Sequence, residues 1–306
     1  MQTNSSIQYL TQLQIDKEKW DACMARSANG LIYGYSFYLD HMARHWDALV
    51  LNDYEAVMPL TWNKKYGVVY LYQPFCCALL GVFGQNITAD ITRDFLQHIP
   101  TKFRYWDIYL NHGNDASQAG FSFSERKNFI LPLHQPYAKL CDGFSDNIKR
   151  NTKKAAQLHC SIEKPPLQLV LKMAKQQMQD FANTSREDFE RFTALYNYLQ
   201  QQNAAITYGT RAENGELLSS AVFFTWQQRA YYILAANNPN SRSTGASHAL
   251  INAFIRDHAD TDTLLDFEGS DLPNLALFYR SFGATQQNYP AIKYNRLPAL
   301  IKWLKK

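Results

Sequence analysis

Residues 231–255 read YYILAANNPNSRSTGASHALINAFI, and their interpretation decides the fold. The stretch opens on an apolar, aromatic run with strand character (231–236). It passes through a polar segment carrying Arg242, Ser243, Thr244, Gly245, Ala246 and Ser247. Apolar residues then recur with helical spacing to about His258. A strand, a short polar turn and a helix start form a ready anion site, because the first amides of a helix have no partner within it. The same order also joins strand to helix in any α/β protein, so the surrounding chain has to arbitrate.

Upstream, 204–238 reads as three strands, with Asn214-Gly215 as a tight hairpin turn. Downstream, TLLDFEG (263–269) is a strand, PNLALFYRSFG (273–283) a helix closed by Gly283, and ATQQNYPAIKYN (284–295) a final strand. Helical patterns precede these strands at 144–159, 167–181 and 185–202, the last with Thr184 and Glu187 placed for a capping box. The first half repeats the order. SFYLDHMARHW (36–46) predicts a helix capped by Ser36. Residues 47–53 predict a strand and turn, and 54–74 two strands joined near Asn63–Gly67. A helix capped by Thr88 ends just before Pro100, followed by a strand at 104–110 and a strand pair at 121–133. Asp107 and Asp266 hold corresponding places in the two halves. The expectation is an α/β (α+β) chain of two related units, residues 1–140 and 141–306, each a mixed, mostly antiparallel sheet flanked by helices.

Composition sets the outer limits. The chain has 306 residues, 46% hydrophobic and 19% charged, which is ordinary for a globular protein. A net charge of +4 argues against a dedicated nucleic-acid binder. The densest basic cluster is Lys149, Arg150, Lys153 and Lys154, read as a solvated helix face. Five cysteines without a CxxC pair predict reduced thiols, and adjacent Cys76 and Cys77 would alternate across a strand. His41 and His45 stand four apart without a supporting Glu or Cys, so no metal is expected. Tyr33, Tyr35 and Trp46 read as core. Neither a basic leader with an apolar core nor an apolar run of membrane-spanning length is seen, which predicts a cytoplasmic protein.

Two runs resemble the GCN5-related N-acetyltransferase (GNAT) superfamily. The pyrophosphate loop of that superfamily has Arg or Gln, two residues, Gly, one residue, then Gly or Ala. Arg242-Ser-Thr-Gly245-Ala-Ser247 is similar to it, with Ser247 in the last place. The last helix there carries a Tyr, three residues, then Gly and usually Phe. Tyr279 and Gly283 match, and Ala284 stands where Phe is usual. YLYQPFCCALLGVFG (70–84) and FSDNIKRNTKKAAQLHCSIE (144–163) resemble the Fem-type branch, whose members carry two GNAT units in one chain. The resemblance implies an N-acyltransferase with acyl-CoA (acetyl-CoA) as co-substrate, no metal, and a small-molecule or peptide amine as acceptor.

On that reading Arg242, Ser243, Thr244, Gly245, Ala246 and Ser247 bind the donor's pyrophosphate. Tyr279 assists the leaving group. Glu268, on the same face of its strand as Asp266 and nearer the exit, is the base. Asp271 caps the following helix. Two alternatives stay open. One is an aminoacyl-tRNA-dependent transferase acting on a peptidoglycan precursor, with the basic helix touching RNA. The other is a non-catalytic binding protein of the same fold.

Overall fold

The computed structural model describes residues 6–178, 184–269 and 271–298. The chain divides into two compact units, residues 1–126 with 288–306, and residues 127–287. In chain order the elements are β1 (Ile7–Leu10), α1 (Lys17–Arg26), α2 (Ser36–Met42), β2 (His45–Leu51), β3 (Ala56–Lys65), β4 (Val68–Leu71) and β5 (Phe83–Gly84). Then come α3 (Ala89–Gln97), β6 (Phe103–Tyr109), β7 (Phe123–Pro132), α4 (Tyr137–Asp142), α5 (Asp146–Gln157), β8 (Ser161–Glu163), α6 (Leu167–Met178) and α7 (Arg186–Gln201). The last are β9 (Ala205–Arg211), β10 (Leu217–Trp226), β11 (Arg229–Asn237), the single turn α8 (Ser241–Thr244), α9 (Ala246–Asp257), β12 (Leu264–Asp266), α10 (Pro273–Arg280) and β13 (Thr285–Asn295).

The first unit orders its strands β1-β2-β3-β4-β6-β13, antiparallel except for the β4–β6 pair. A parallel neighbour requires a crossover, and α3 lies within it. Thr88 Oγ1 accepts the Ile91 amide at 3.2 Å, so α3 starts where its cap was expected. Its Phe95 and Leu96 are buried with Leu71, Trp106 and Ile292. Ile292 comes from β13, so the strand that follows the whole second unit in the chain belongs to the core of the first.

The second unit repeats this plan as β8-β9-β10-β11-β12-β7, antiparallel except for the parallel β11–β12 pair. Here α8 and α9 make the crossover. Strand β10 is buried along nearly its whole length because helices cover both of its faces. Phe223 stacks on Phe254 of α9 at 3.8 Å, and its neighbour Phe224, pointing the other way, stacks on Phe192 of α7 at 5.6 Å.

Several local expectations give way. The helix expected over 36–46 stops at Met42. Tyr35 holds the N-cap position without a side-chain bond to the first turn, while Ser36 donates its amide and hydroxyl to the Asp21 carboxylate at 2.8 and 2.6 Å. His45 and Trp46 begin β2 instead, opposite Trp62 and Thr61. Residues 121–133 hold one strand rather than a pair, and the strand expected over 263–269 keeps only Leu264–Asp266. The capping box of α7 lies one residue later than expected, on Ser185 and Asp188. The helix expected over 167–181 is seen as Leu167–Met178, and its last three residues lie outside the described residues. Leu272, not Asp271, stands at the N-cap position of α10, with no side-chain cap bond, while Asp271 accepts the Lys127 amide at 3.2 Å. Cys76 and Cys77 lie in a turn after β4 rather than on a strand, and none of the five cysteines is in a disulfide. Tyr33, Tyr35 and Trp46 are core residues.

Candidate active site

Strands β11 and β12 pair only over Arg229–Leu264, Ala230–Leu265 and Tyr231–Asp266. Strand β11 then continues to Asn237 while β12 ends, so residues 232–237 lack a strand on that side among the described residues. A cavity of about 1070 Å³ opens there, within the second unit. Tyr232, Ala235 and Asn237 of β11 line it along roughly 16 Å of strand. α6 contributes Met173, Gln176 and Gln177; the turn after β11 contributes Asn238, Pro239 and Arg242; α9 contributes Ser247 and His248; α10 contributes Leu275, Phe278 and Tyr279.

Of the residues read from the sequence, Arg242, Ser247 and Tyr279 meet in this cavity. Arg242 is exposed, and among the described lining residues it carries the only positive charge, Glu216 the only negative one. Ser247 donates to Asn237 Oδ1 at 2.6 Å, which also accepts Ser219 Oγ at 2.7 Å. The first helical bond of α9 runs from the Ala249 amide to the Gly245 carbonyl at 3.0 Å, so the amides of Ala246, Ser247 and His248 precede the ladder.

Gly245, Ala246, Ser243 and Thr244 are engaged elsewhere. Gly245 sits at φ +76°, and a Cβ there would stand 2.3 Å from the Asn151 carbonyl oxygen of α5. Glycine at this place thus lets α5 press on the turn. Ala246 is fully buried, its carbonyl accepting Thr210 Oγ1 at 3.0 Å. The Ser243 hydroxyl donates to the Asn240 carbonyl at 2.9 Å and that of Thr244 to the Ser241 carbonyl at 3.0 Å, closing α8.

Tyr279 is 5% exposed, its ring stacked on Phe267 at 4.7 Å. Burial foremost, then Tyr232, Glu268 and Asp266, hold its hydroxyl protonated far above the usual tyrosine range. Glu268 lies two residues past the end of β12 rather than on its face with Asp266, half-buried at φ +61°; its charge helps hold the Tyr279 proton, but it is not among the cavity walls. Asp266 is fully buried and spoken for: it accepts Arg229 Nε and Asn128 Nδ2, both at 2.9 Å, and the Glu268 amide at 2.8 Å.

Several lining residues escaped the sequence reading, Tyr232 and His248 among them. Tyr232 lies inside a strand, where an aromatic residue has no distinguishing sign. His248 is three residues past Gly245, a placement on the first turn of α9 that could have marked it. Its ring meets Phe278 edge-on at 5.0 Å, and burial lowers its pKa to about 4, so the imidazole is neutral at pH 7. Asn238 and Pro239 also face the cavity. His41 bonds the Phe37 carbonyl and His45 stacks on Trp62. The basic residues Lys149, Arg150, Lys153 and Lys154 of α5 are exposed. Among the described residues no helix is long and apolar enough to cross a membrane.

No family model and no curated protein sequence matches the chain. Solved structures do. The crystal structure of FemX is 14% identical and covers 98% of this chain and 100% of its own, with a TM-score of 0.67. L-PGS from Bacillus licheniformis is 13% identical over 95% of this chain and 97% of its own, at a TM-score of 0.52. The GCN5-related glucosamine N-acetyltransferase region of a fungal multi-domain GH3 β-N-acetylglucosaminidase is 11% identical, covering 96% of this chain and 38% of its own, also at 0.52. With two units of one strand order, each opening beside a parallel strand pair, these likenesses show that the chain has the GNAT, Fem-like fold.

Proposed function

We propose that the chain is an N-acyltransferase that takes an acyl group from acyl-CoA in the cavity of its second unit. The observation that carries this reading is the gap beside β11, which has Arg242 and the opening turn of α9 in its lining together with a buried, neutral Tyr279. The amides of the α9 turn and the Arg242 guanidinium suit a pyrophosphate. The unpaired edge of β11 suits an extended arm bearing amide groups. The acceptor nitrogen attacks the thioester carbonyl carbon directly, and the carbon–sulfur bond breaks as the tetrahedral adduct collapses. Tyr279 donates a hydrogen bond to the departing sulfur, and Glu268 takes the proton lost by the amine. The neutral imidazole of His248 adds no charge to the cavity.

A thermal-shift series with acetyl-CoA, longer acyl-CoAs, CoA and nucleotides tests this, because a ligand of the native state raises the melting temperature. The reading fails if no CoA species shifts it. One observation favours a second donor, an aminoacyl-tRNA. The exposed basic residues of α5 lie on the same helix whose Asn151 carbonyl meets Gly245 at the donor turn. RNA retained through purification and released by high salt would support that donor over CoA.

A further inference from the structure

The first unit has a smaller cavity, of about 190 Å³, where β4 and β6 part. Its walls come from alternate residues of two parallel neighbours: Tyr70 and Tyr72, with Gln73 following, and Tyr105, Asp107 and Tyr109 on β6. The intervening Leu71, Trp106 and Ile108 point into the core. The short sequences YLY and YWDIY therefore build an apolar layer on one face and a ring of phenols on the other. Gln73 fixes the wall by accepting the Tyr109 amide at 3.2 Å and donating to the Cys77 carbonyl at 2.7 Å. Tyr70 and Tyr72 meet edge to face at 6.1 Å.

Asp107 is half-buried in this wall. Its contact is with the Tyr105 hydroxyl, 3.5 Å from Oδ2, too long for a good hydrogen bond. Among the described residues it has no ion pair. Lys293 stands opposite on β13 but is exposed and makes none with it. Burial and then Asp107 raise the Tyr105 pKa to about 12, so the phenol stays neutral. One ring of the set already carries a cation, since the Arg126 guanidinium lies 4.6 Å from the centre of Tyr109. Electron-rich rings around a carboxylate that has no ion pair among the described residues attract an ammonium group, and the phenols tolerate its alkyl substituents where water would be displaced. The volume equals about six waters, room for a small head group rather than a cofactor.

We infer that the pocket of Tyr70, Tyr72, Tyr105 and Tyr109 around Asp107 binds a small organic ammonium ion. This site lies wholly in the first unit and does not depend on the acyl-transfer reading, because its binding is measured without any donor. The test is calorimetric titration of the full chain with choline chloride and, in parallel, with its neutral carbon isostere 3,3-dimethylbutan-1-ol, at matched ionic strength. Choline is expected to bind saturably and at least about tenfold more tightly than the alcohol. Asp107→Asn, close to isosteric on a strand that keeps its pairing, should weaken choline by about tenfold and leave the alcohol unaffected. Tyr70→Leu should weaken choline while Tyr70→Phe retains it. Equal binding of choline and alcohol, or no saturable binding of choline, overturns the proposal. So does unchanged choline affinity in Asp107→Asn. The wild-type comparison stands even if a variant folds poorly.

Discussion

Gly245→Ala separates two accounts of the glycine in the donor turn. On the packing account the substitution meets two costs. An alanine at φ +76° loses roughly 1–2 kcal/mol to its own backbone. Its methyl would also stand 2.3 Å from the Asn151 carbonyl oxygen, a backbone atom that moves only if α5 moves. Such overpacking adds roughly 1–3 kcal/mol, for a total near 3 kcal/mol. In a unit of this size that lowers the melting temperature by about 6–12 °C. Gly215 supplies the control: its φ is +87°, but nothing lies within 4 Å of a Cβ built there. Gly215→Ala should cost about 1 kcal/mol, or about 2–4 °C. The assay is paired thermal unfolding by circular dichroism, with and without acetyl-CoA. If Gly245→Ala loses no more stability than Gly215→Ala, the turn is not pressed on α5 and the reasoning is refuted. If it then also loses the acetyl-CoA shift, the glycine serves the ligand instead.

Arg242→Ala, at an exposed position, should leave the unliganded melting temperature unchanged but weaken acyl-CoA binding about 10–100-fold by calorimetry. Tyr279→Phe should lower kcat about 100-fold with little change in KM, and kcat in the wild type should show no falling limb near pH 10, since the buried phenol keeps its proton there. His248 has a folded pKa of about 4, below its unfolded value, so the unfolded chain binds the extra proton; stability is complete above about pH 6.5 and is lost as pH falls towards 4. Partial exposure limits that loss to about 2 kcal/mol, and His248→Leu should flatten this part of the melting-temperature profile. Arg229→Met leaves Asp266 buried and unpaired and should cost about 3–5 kcal/mol in unfolding experiments, more than Asp266→Asn made together with it.

Much of this molecule is legible in one dimension because its signals are local. Thr88, Asn214-Gly215 and Gly283 punctuate the chain where their side chains or backbone freedom are used, and β9 to β11 keep the expected order. The misreadings arise where distant partners override local pattern. Ser36 looks like a cap, but Asp21 claims it. Residues 43–46 continue a helical pattern, but pairing with Thr61 and Trp62 draws His45 and Trp46 into a strand. The site shows the same split. Arg242, Ser247 and Tyr279 can be found from spacing, because the helices that carry them, α8, α9 and α10, follow one another closely in the chain. Tyr232, Gln177 and Glu216 reach the cavity only through sheet pairing and the packing of α6. Gly245 is visible as the glycine of the pyrophosphate-loop pattern, but Asn151, whose carbonyl meets it, lies on another helix.

Strand β13 gives this fold a particular order of assembly. A chain emerging from the ribosome presents β1 to β6 first, yet the place beside β6 is filled by residues made only after the entire second unit. Until then β6 exposes an open edge, with Ile292 missing from the core beneath it. The second unit has no such wait, since β7 precedes it. Folding during synthesis, which usually runs from the N-terminus onward, would here complete the later unit first. The earlier one would depend on whatever protects its edge in the meantime.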